Sequence, residues 1–387
     1  MNAPRSRLLG TCLASDRAVR RPEALVHHCL PSQSQVSVQP YRRFEVSVDG
    51  RNTVTEQERQ RADASPRGGA LLRRRVTSFS LRYGMVWALL LVIVVAQIIY
   101  PNFLTAANLT NVLSQNAPVG IIAVGMTLVI IAGGFDLSVG AVYGLGAVFF
   151  AIFSTSMSFI PNLILTVLVG VLAGLINGLI IAKLQVNPFV ATLGTSSLFL
   201  GLGFILALYP ISVAPGNDWL GGARIGGIPV SGILMIIVFL IGGLLLSWTT
   251  FGQGVKAIGG NGEAARLAGL RDNLIRVATY VIVGGLSARA GSVDASLLGT
   301  GQADMGPTIP LLAIAIVILG GTSLAGGEGA MWRTAVGLMI MAALTNLFNS
   351  EAAPVSIQYI AQGAVLIAAV SFDMFARRAS RRGVVTR

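Results

Sequence analysis

The chain has 387 residues, of which 53% are hydrophobic and only 11% are charged, and its mean hydropathy is +0.73. This composition excludes an ordinary soluble globule and indicates several membrane spans. The formal net charge of +12 comes from cations in tails and loops, so it does not indicate a nucleic-acid partner. Both cysteines, Cys12 and Cys29, precede the apolar body, which therefore has no disulfide framework and no thiolate metal site.

Residues 1–80 are polar and arginine-rich and have no sustained apolar period, which predicts a largely disordered cytoplasmic tail. No apolar stretch of the secretory-signal kind follows the first charges. A start site assigned upstream of the true one is an alternative interpretation. Binding of anionic lipid through Arg73, Arg74 and Arg75 is another.

Hydropathy predicts an all-α polytopic membrane domain over residues 81–376, followed by a basic cytoplasmic tail at 377–387. The predicted spans are ten in number and run over 85–100, 111–132, 137–153, 163–183, 189–208, 230–250, 276–297, 308–319, 330–349 and 355–375. Several are shorter than the roughly 20 residues of a straight span, which predicts half-helices among them.

From residue 73 onward, the basic residues in the tails, in the loops and near the ends of the predicted spans lie on one side of the membrane, except Arg224, which lies on the other side. The cations of the first side are Arg73, Arg74, Arg75, Arg82, Lys183, Lys256, Arg266, Arg271, Arg276, Arg333, Arg377, Arg378, Arg381, Arg382 and Arg387. By the positive-inside rule this side is cytoplasmic. Both termini and the loop at 251–275 are therefore predicted to face the cytoplasm.

That loop contains the longest polar, glycine-punctuated run of the apolar body, FGQGVKAIGGNGEAARLAGL at 251–270. Asn261 suits a helix N-cap, Glu263 lies in the first turn, and Gly269 suits the left-handed position after the last turn. The pattern predicts a short helix of about seven residues. Its small apolar side would serve another protein as a docking point, although an ordinary loop helix is an equally good interpretation.

Four segments of the chain resemble the permease subunits of bacterial ABC importers of the ribose/monosaccharide type. They are AIGGNGEAARLAGL at 257–270, GGFDLSVG at 133–140, NPFVATLG at 187–194 and GGTSLAGGEG at 320–329. The resemblance implies a permease fold in the bacterial inner membrane and transport of a monosaccharide. It also implies that the short cytoplasmic helix docks an ATPase through Gly259, Gly260, Asn261, Glu263, Ala264, Ala265, Arg266, Leu267 and Gly269.

The resemblance further implies a complex with defined partners. The first partner is a cytoplasmic ATPase that uses ATP and Mg²⁺. The second is a periplasmic or lipid-anchored sugar-binding protein, which docks on the outer loops, including 209–229 with Trp219 and Arg224. The third is a second permease subunit, either identical or a paralogue. The chain itself is expected to bind no cofactor and no metal. An amino acid or a nucleoside remains an alternative cargo.

The translocation path has its own candidates. Gly133 and Gly134 permit a sharp turn, and Asp136 is expected to cap a helix beginning at Leu137 with help from Ser138, which predicts a broken helix near the path. Asn187 is predicted to cap the fifth span, with Pro188 at its first helical position. Thr192, Gln115 and Asn116 either bond to neighbouring backbone or face a polar passage. Arg289 and Asp294, charged residues within a span, are further functional candidates.

Catalysis by this chain is not expected. No glycine-rich loop of the phosphate-binding kind with a following lysine occurs, and the two histidines, His27 and His28, lie in the tail. A transporter of this composition must therefore take its energy from a partner or from an ion gradient. The rival hypothesis is a stand-alone secondary transporter or channel, which would use intramembrane carboxylates such as Asp136 and Asp294.

Overall fold

The computed structural model describes residues 84–365, 367–368 and 371, and this part of the chain is almost entirely helical. The helices are α1 Gly84–Ile99, α2 Ala106–Ile131, α3 Val139–Ser154, α4 Phe159–Lys183, α5 Pro188–Leu206, α6 Trp219–Gly222, α7 Val230–Trp248, α8 Thr250–Gly260, α9 Gly262–Leu267, α10 Asp272–Leu298, α11 Ile309–Leu319 and α12 Met331–Ser350. Residues 355–365 are helical as well. Four two-residue strands accompany them: β1 Ile211–Ser212, β2 Arg224–Ile225, β3 Ile228–Pro229 and β4 Thr300–Gly301.

An apolar helix lies at every predicted span from residue 85 to residue 349, and a helix begins at 355 where the last predicted span begins. The rest of that last span, and the predicted tails at 1–80 and 377–387, lie largely or wholly outside the described residues. Six of the described helices are long and apolar enough to cross a membrane, and α1, α3 and α11 are shorter apolar helices. The prediction of a polytopic all-α protein is confirmed.

Helices α2 and α10 form the centre of the bundle. The second half of α2 is buried on all sides, and α10 packs along α3 and α4. Small residues allow this close packing: a Cβ atom on Gly284 of α10 would lie only 2.8 Å from the Cα of Gly174 on α4. Within a bilayer the hydrophobic effect does not drive helices together, so their association depends on close van der Waals packing of this kind.

Two stretches of irregular backbone penetrate the bundle from opposite ends. Residues 133–138 lead into α3, and residues 302–308 lead into α11. The second stretch follows α3 closely, because Gly301 lies against Ala147, Ala303 against Gly144, and Gly306 against Gly140. Helix α3 has 16 residues and α11 has 11. At a rise of about 1.5 Å per residue they are about 24 and 17 Å long, shorter than the roughly 30 Å of a hydrocarbon core, because irregular backbone precedes each of them.

The two ends of the bundle differ in structure. The end formed by 209–229 and 299–301, here called the β end, carries the small strands, with β1 paired to β4 and β2 to β3, each antiparallel. The other end, formed by 131–134, 249–272 and 320–330, carries α8 and α9 and is called the α9 end. The predicted loop at 251–275 is thus mostly helix, because α8 continues almost directly from α7.

Candidate functional site

Helix α9 lies at the α9 end of the bundle, and both of its predicted caps are present. The Asn261 side chain accepts a hydrogen bond of 3.0 Å from the Ala264 amide, which satisfies one of the free amides of the first turn. Gly269 has a φ of 84°, and the Leu270 amide donates to the Ala265 carbonyl. The helix has six residues, one fewer than predicted.

The apolar residues of α9 are divided between two sides. Ala264, Leu267 and Ala268 are exposed, and Leu267 has 82% of its surface open. Ala265 was predicted to be part of the docking surface, but it is 5% exposed and faces the protein. Ala265 lies about 100° around the helix from Ala264, and this rotation places it on the side of α9 that packs against the protein.

Glycine segments from three parts of the sequence meet directly behind α9. The Gly327 amide donates a hydrogen bond of 2.8 Å to the Ile131 carbonyl; Gly259 lies against both partners of this bond, and Gly260 lies against Gly327. A Cβ atom on Gly259 would lie 2.6 Å from the Gly327 nitrogen, closer than real Cβ contacts. Gly133 completes the junction by lying against Gly326. Three of the segments singled out in the sequence therefore form one contact, called here the glycine junction (131–133, 259–260 and 326–327).

The segment that follows the junction is held by side chains from three helices. The Thr192 hydroxyl of α5 accepts from the Leu137 amide at 3.1 Å, and the Asn177 amide of α4 donates to the Ser138 hydroxyl at 2.7 Å. The Tyr280 hydroxyl of α10 donates to the Phe135 carbonyl at 3.0 Å. The irregular backbone predicted here is present, and it is buried in protein as membrane depth requires.

Asp136 shapes this segment, although not as predicted. Its Oδ1 accepts from both the amide and the hydroxyl of Ser138, at 2.8 and 2.6 Å. The helix that follows begins at Val139 instead of Leu137, so Asp136 closes a tight turn before the helix and does not cap its first turn. Asp136 is 1% exposed and Ser138 and Thr192 are fully buried, which favours the structural interpretation of all three.

The remaining predicted path residues are spread along the bundle. Asn187 is an N-cap, as predicted: its side chain accepts from the Phe189 amide at 2.9 Å, with Pro188 in the first turn of α5. Gln115 and Asn116 lie in α2 on the side of Pro118 away from the α9 end. Gln115 is exposed, and Asn116 donates to the Val112 carbonyl at 2.9 Å, so neither joins the cluster around Asp136.

A groove of about 330 Å³ opens where the two irregular stretches meet. It lies between α3, α5 and the start of α11, and Gly140 and Gly306 form part of its wall. Most of the lining is apolar, whereas Asp304 contributes a carboxylate and Ser196 a hydroxyl, with the ring of Phe204 nearby. This volume is at the small end of the range for ligand pockets, about 300–1,000 Å³. Carboxylate and hydroxyl groups beside an aromatic residue suit a small polyhydroxylated molecule, whose hydroxyls need hydrogen-bond partners and whose C–H groups do not.

Asp304 was not singled out in the sequence, because it lies in a short polar stretch between two apolar runs and resembles an ordinary loop aspartate. The only available signal was the glycine- and proline-rich stretch GTGQADMGPTIP at 299–310, which is typical of irregular backbone. Of the two intrahelical charges noted in the sequence, Asp294 accepts a hydrogen bond from the Tyr143 hydroxyl. The Arg289 guanidinium donates to the Ser292 hydroxyl at 3.2 Å, and the structure does not join Arg289 to Asp294.

Comparison with known proteins agrees with this architecture. Residues 108–370 match the family model described as branched-chain amino acid transport system / permease component. The chain belongs to this permease family. Among its relatives is the ribose import permease protein RbsC of Bacillus subtilis (strain 168), 38% identical over 297 residues, which are 76% of this chain and 92% of that protein. No solved structure matches the chain.

Further relatives of the permease are named for the sugars that they import. The ribose import permease protein RbsC of Escherichia coli (strain K12) is 36% identical over 293 residues, 74% of this chain and 91% of that protein. The L-arabinose transport system permease protein AraH of the same organism is 34% identical over 303 residues, 78% of this chain and 92% of that protein. The resemblance inferred from the four segments is thus confirmed.

Proposed function

We propose that this permease is the membrane-spanning subunit of an ATP-driven importer that carries a monosaccharide across a bacterial inner membrane. Relatives named for ribose and L-arabinose import support the cargo class. The cation distribution supports a cytoplasmic α9 end and cytoplasmic termini. A separate ATPase supplies the energy, a sugar-binding protein delivers the cargo at the β end, and a second permease subunit completes the complex.

The observation that carries the proposal is the exposed apolar side of α9. Ala264, Leu267 and Ala268 are open to solvent on a helix whose caps are satisfied and whose Ala265 faces inward. A rigid apolar projection of this kind has no role in the fold of the chain that bears it, and it suits the recessed surface of a partner. The proposal assigns the ATPase to this surface.

The glycine junction provides the mechanical link between α9 and the bundle. Gly259 and Gly260, at the end of α8, lie against the end of α2 and against the loop between α11 and α12. Because backbone meets backbone there without intervening side chains, a displacement of α8 and α9 is transferred to these segments with little slack. In the proposed mechanism, ATPase closure shifts this junction and the permease changes the end to which its path opens.

The groove at the two irregular stretches is the proposed sugar path within this subunit. Interrupted helices that meet inside a transporter bundle commonly form its substrate site, because unwound backbone there is tolerated only beside protein or a watery cavity. Asp304 and Ser196 would accept and donate hydrogen bonds to sugar hydroxyls, and Phe204 would cover an apolar face of the ring. Asp136, Ser138 and Thr192 hold the wall of this path without contacting the sugar.

The test is reconstitution of the permease with its ATPase and sugar-binding protein in liposomes. Ala264→Trp places a bulky ring on the exposed side of α9 and should reduce sugar uptake at least about tenfold, while the thermal unfolding temperature of the permease stays unchanged because Ala264 makes no core contact. The matched control is Ala257→Trp, at an exposed position of α8 outside α9. Equal effects of both variants, or uptake that persists without the ATPase and collapses with an uncoupler, would contradict the proposal.

A further inference from the structure

A second cavity, of about 610 Å³, lies at the α9 end between α8 and the beginning of α12. The cations of Lys256 and Arg333 line it together with the carboxylate of Glu328 and the backbone of Gly327 and Gly329. It is separate from the groove that contains Asp304. Neither the docking of α9 nor the path of a neutral sugar explains why two cations share one cavity there.

The positive charges of this cavity have no ion-pair partner among the residues that the structure describes. In the part of the chain that the structure describes, the ion pair present is Arg276 with Asp272, so Glu328 lines the cavity without forming a direct ion pair with Lys256 or Arg333. The Nε atom of Arg333 is buried and has no hydrogen-bond partner among those residues. A buried guanidinium donor left without an acceptor carries a free-energy cost, and an anion bound in the cavity would remove that cost.

The beginning of α12 adds to the same positive field. Ala330 precedes this helix of 20 residues, and no side chain caps its first turn. The free amides of that turn carry the positive end of the helix dipole, which favours an anion beside Arg333. The cavity thus combines two side-chain cations with uncapped backbone amides. Phosphate oxygens accept hydrogen bonds from both kinds of donor.

The lateral surface beside the cavity indicates where its anion comes from. Trp332 lines the cavity, is 48% exposed, and lies with its ring centre 5.6 Å from the Arg333 guanidinium carbon. Met339, two turns further along the same face of α12, is 55% exposed. A tryptophan beside a cation at the end of an apolar helix is typical of the membrane interface, and the apolar face above it is of the kind that acyl chains cover.

We infer that this cavity binds the phosphate headgroup of an anionic phospholipid, with an acyl chain along Trp332 and Met339. Lys256 and Arg333 contact the phosphate, and the glycine backbone leaves room for its oxygens. Basic pockets between membrane helices on the cytoplasmic side bind anionic headgroups by the same chemistry. Because Gly327 belongs to the glycine junction, the lipid would brace the loop against which α8 rests.

The experiment uses the full chain purified in a neutral detergent, with bound lipid counted by native mass spectrometry and by titration with phosphatidylglycerol. Each cation near an anionic surface contributes about fivefold in affinity, so Lys256→Gln should weaken phosphatidylglycerol binding about fivefold and Lys256→Gln/Arg333→Gln about thirtyfold. Arg333→Lys, which retains the charge, should bind within a few fold of the native chain.

The matched control is Lys183→Gln, which removes an exposed lysine from the last turn of α4 at the same end of the bundle. Equal loss in this control, or equal binding of phosphatidylcholine, would overturn the inference in favour of general surface attraction. Competition by millimolar inorganic phosphate would identify a soluble anion as the ligand instead. Unchanged lipid binding with weakened ATPase association would assign the cavity to an acidic side chain of the ATPase. Lys256→Gln alone, at a half-buried surface lysine, keeps the test valid if the double variant does not fold.

Discussion

The amide of Gly327 donates a hydrogen bond of 2.8 Å to the carbonyl oxygen of Ile131, joining residues almost two hundred positions apart in the chain. This bond ties the loop after α11 to the end of α2, and Gly259 occupies the space beside it. The part of the permease that receives α8 and α9 is therefore a backbone contact among glycines. Such a contact transmits small displacements and tolerates no added side chain.

Gly259→Ala should destabilise the permease by about 1–3 kcal/mol, because the added Cβ overlaps the Ile131 carbonyl and the Gly327 amide. The control is Gly201→Ala on α5, where nothing lies within 4 Å of the added atom. Thermal unfolding in detergent measures both variants. Equal unfolding temperatures would show that the glycine junction is looser than the structure indicates.

Tyr143→Phe should lower stability by about 1–3 kcal/mol, because it removes the hydroxyl that donates to the partly buried Asp294 carboxylate. Tyr143→Phe/Asp294→Asn should cost less than the sum of the two single variants, since the double variant has no charge left without its donor. Chemical denaturation of the four proteins gives the coupling free energy. Strict additivity would mean that this bond contributes nothing to the packing of α3 on α10.

Ser138→Ala should destabilise the permease by about 1–3 kcal/mol, because it removes a hydrogen bond from Asp136 and leaves the Asn177 amide without its acceptor. Ser197→Ala on the exposed side of α5 should be nearly neutral. Unfolding temperatures compare the two serines directly. A neutral Ser138→Ala would contradict the role given to this cluster in holding the irregular segment.

Asp304→Leu should reduce sugar uptake about tenfold or more, since a hydrogen bond from a sugar hydroxyl to a charged group contributes about 1.5–3 kcal/mol. Sugar-stimulated ATP hydrolysis and uptake are measured together in the reconstituted complex at several sugar concentrations. Glu351→Gln removes an exposed carboxyl group outside the groove and serves as control. Normal uptake by Asp304→Leu would remove the groove from the proposed path and leave the docking of α9 unaffected.

The proposed orientation is tested with Leu267→Cys and Ile225→Cys, each in a chain whose Cys12 and Cys29 are replaced by serine. Both positions are exposed, at the α9 end and the β end respectively. A membrane-impermeant maleimide should label Ile225→Cys in right-side-out vesicles and Leu267→Cys only in inverted ones. The reverse pattern would place α9 outside the cytoplasm and exclude its docking to an ATPase.

Local patterns in the chain were enough to predict the apolar helices, the caps at Asn187 and Asn261, the left-handed Gly269 and the irregular segment at Gly133–Asp136. These features depend on neighbours within a few residues, so the sequence encodes them directly. The family, too, was predicted from four short segments that resemble those of the family and follow one another in the same order along the chain.

Tertiary structure alone decided what those elements do together. It joined three separate glycine segments at one contact, turned Ala265 toward the protein, and placed Asp304 and Ser196 in one groove beside Gly140 and Gly306. Each of these results depends on contacts between residues far apart in sequence. Nothing in the local pattern of a helix or loop specifies which distant surface it will meet, because packing selects among many partners of similar composition.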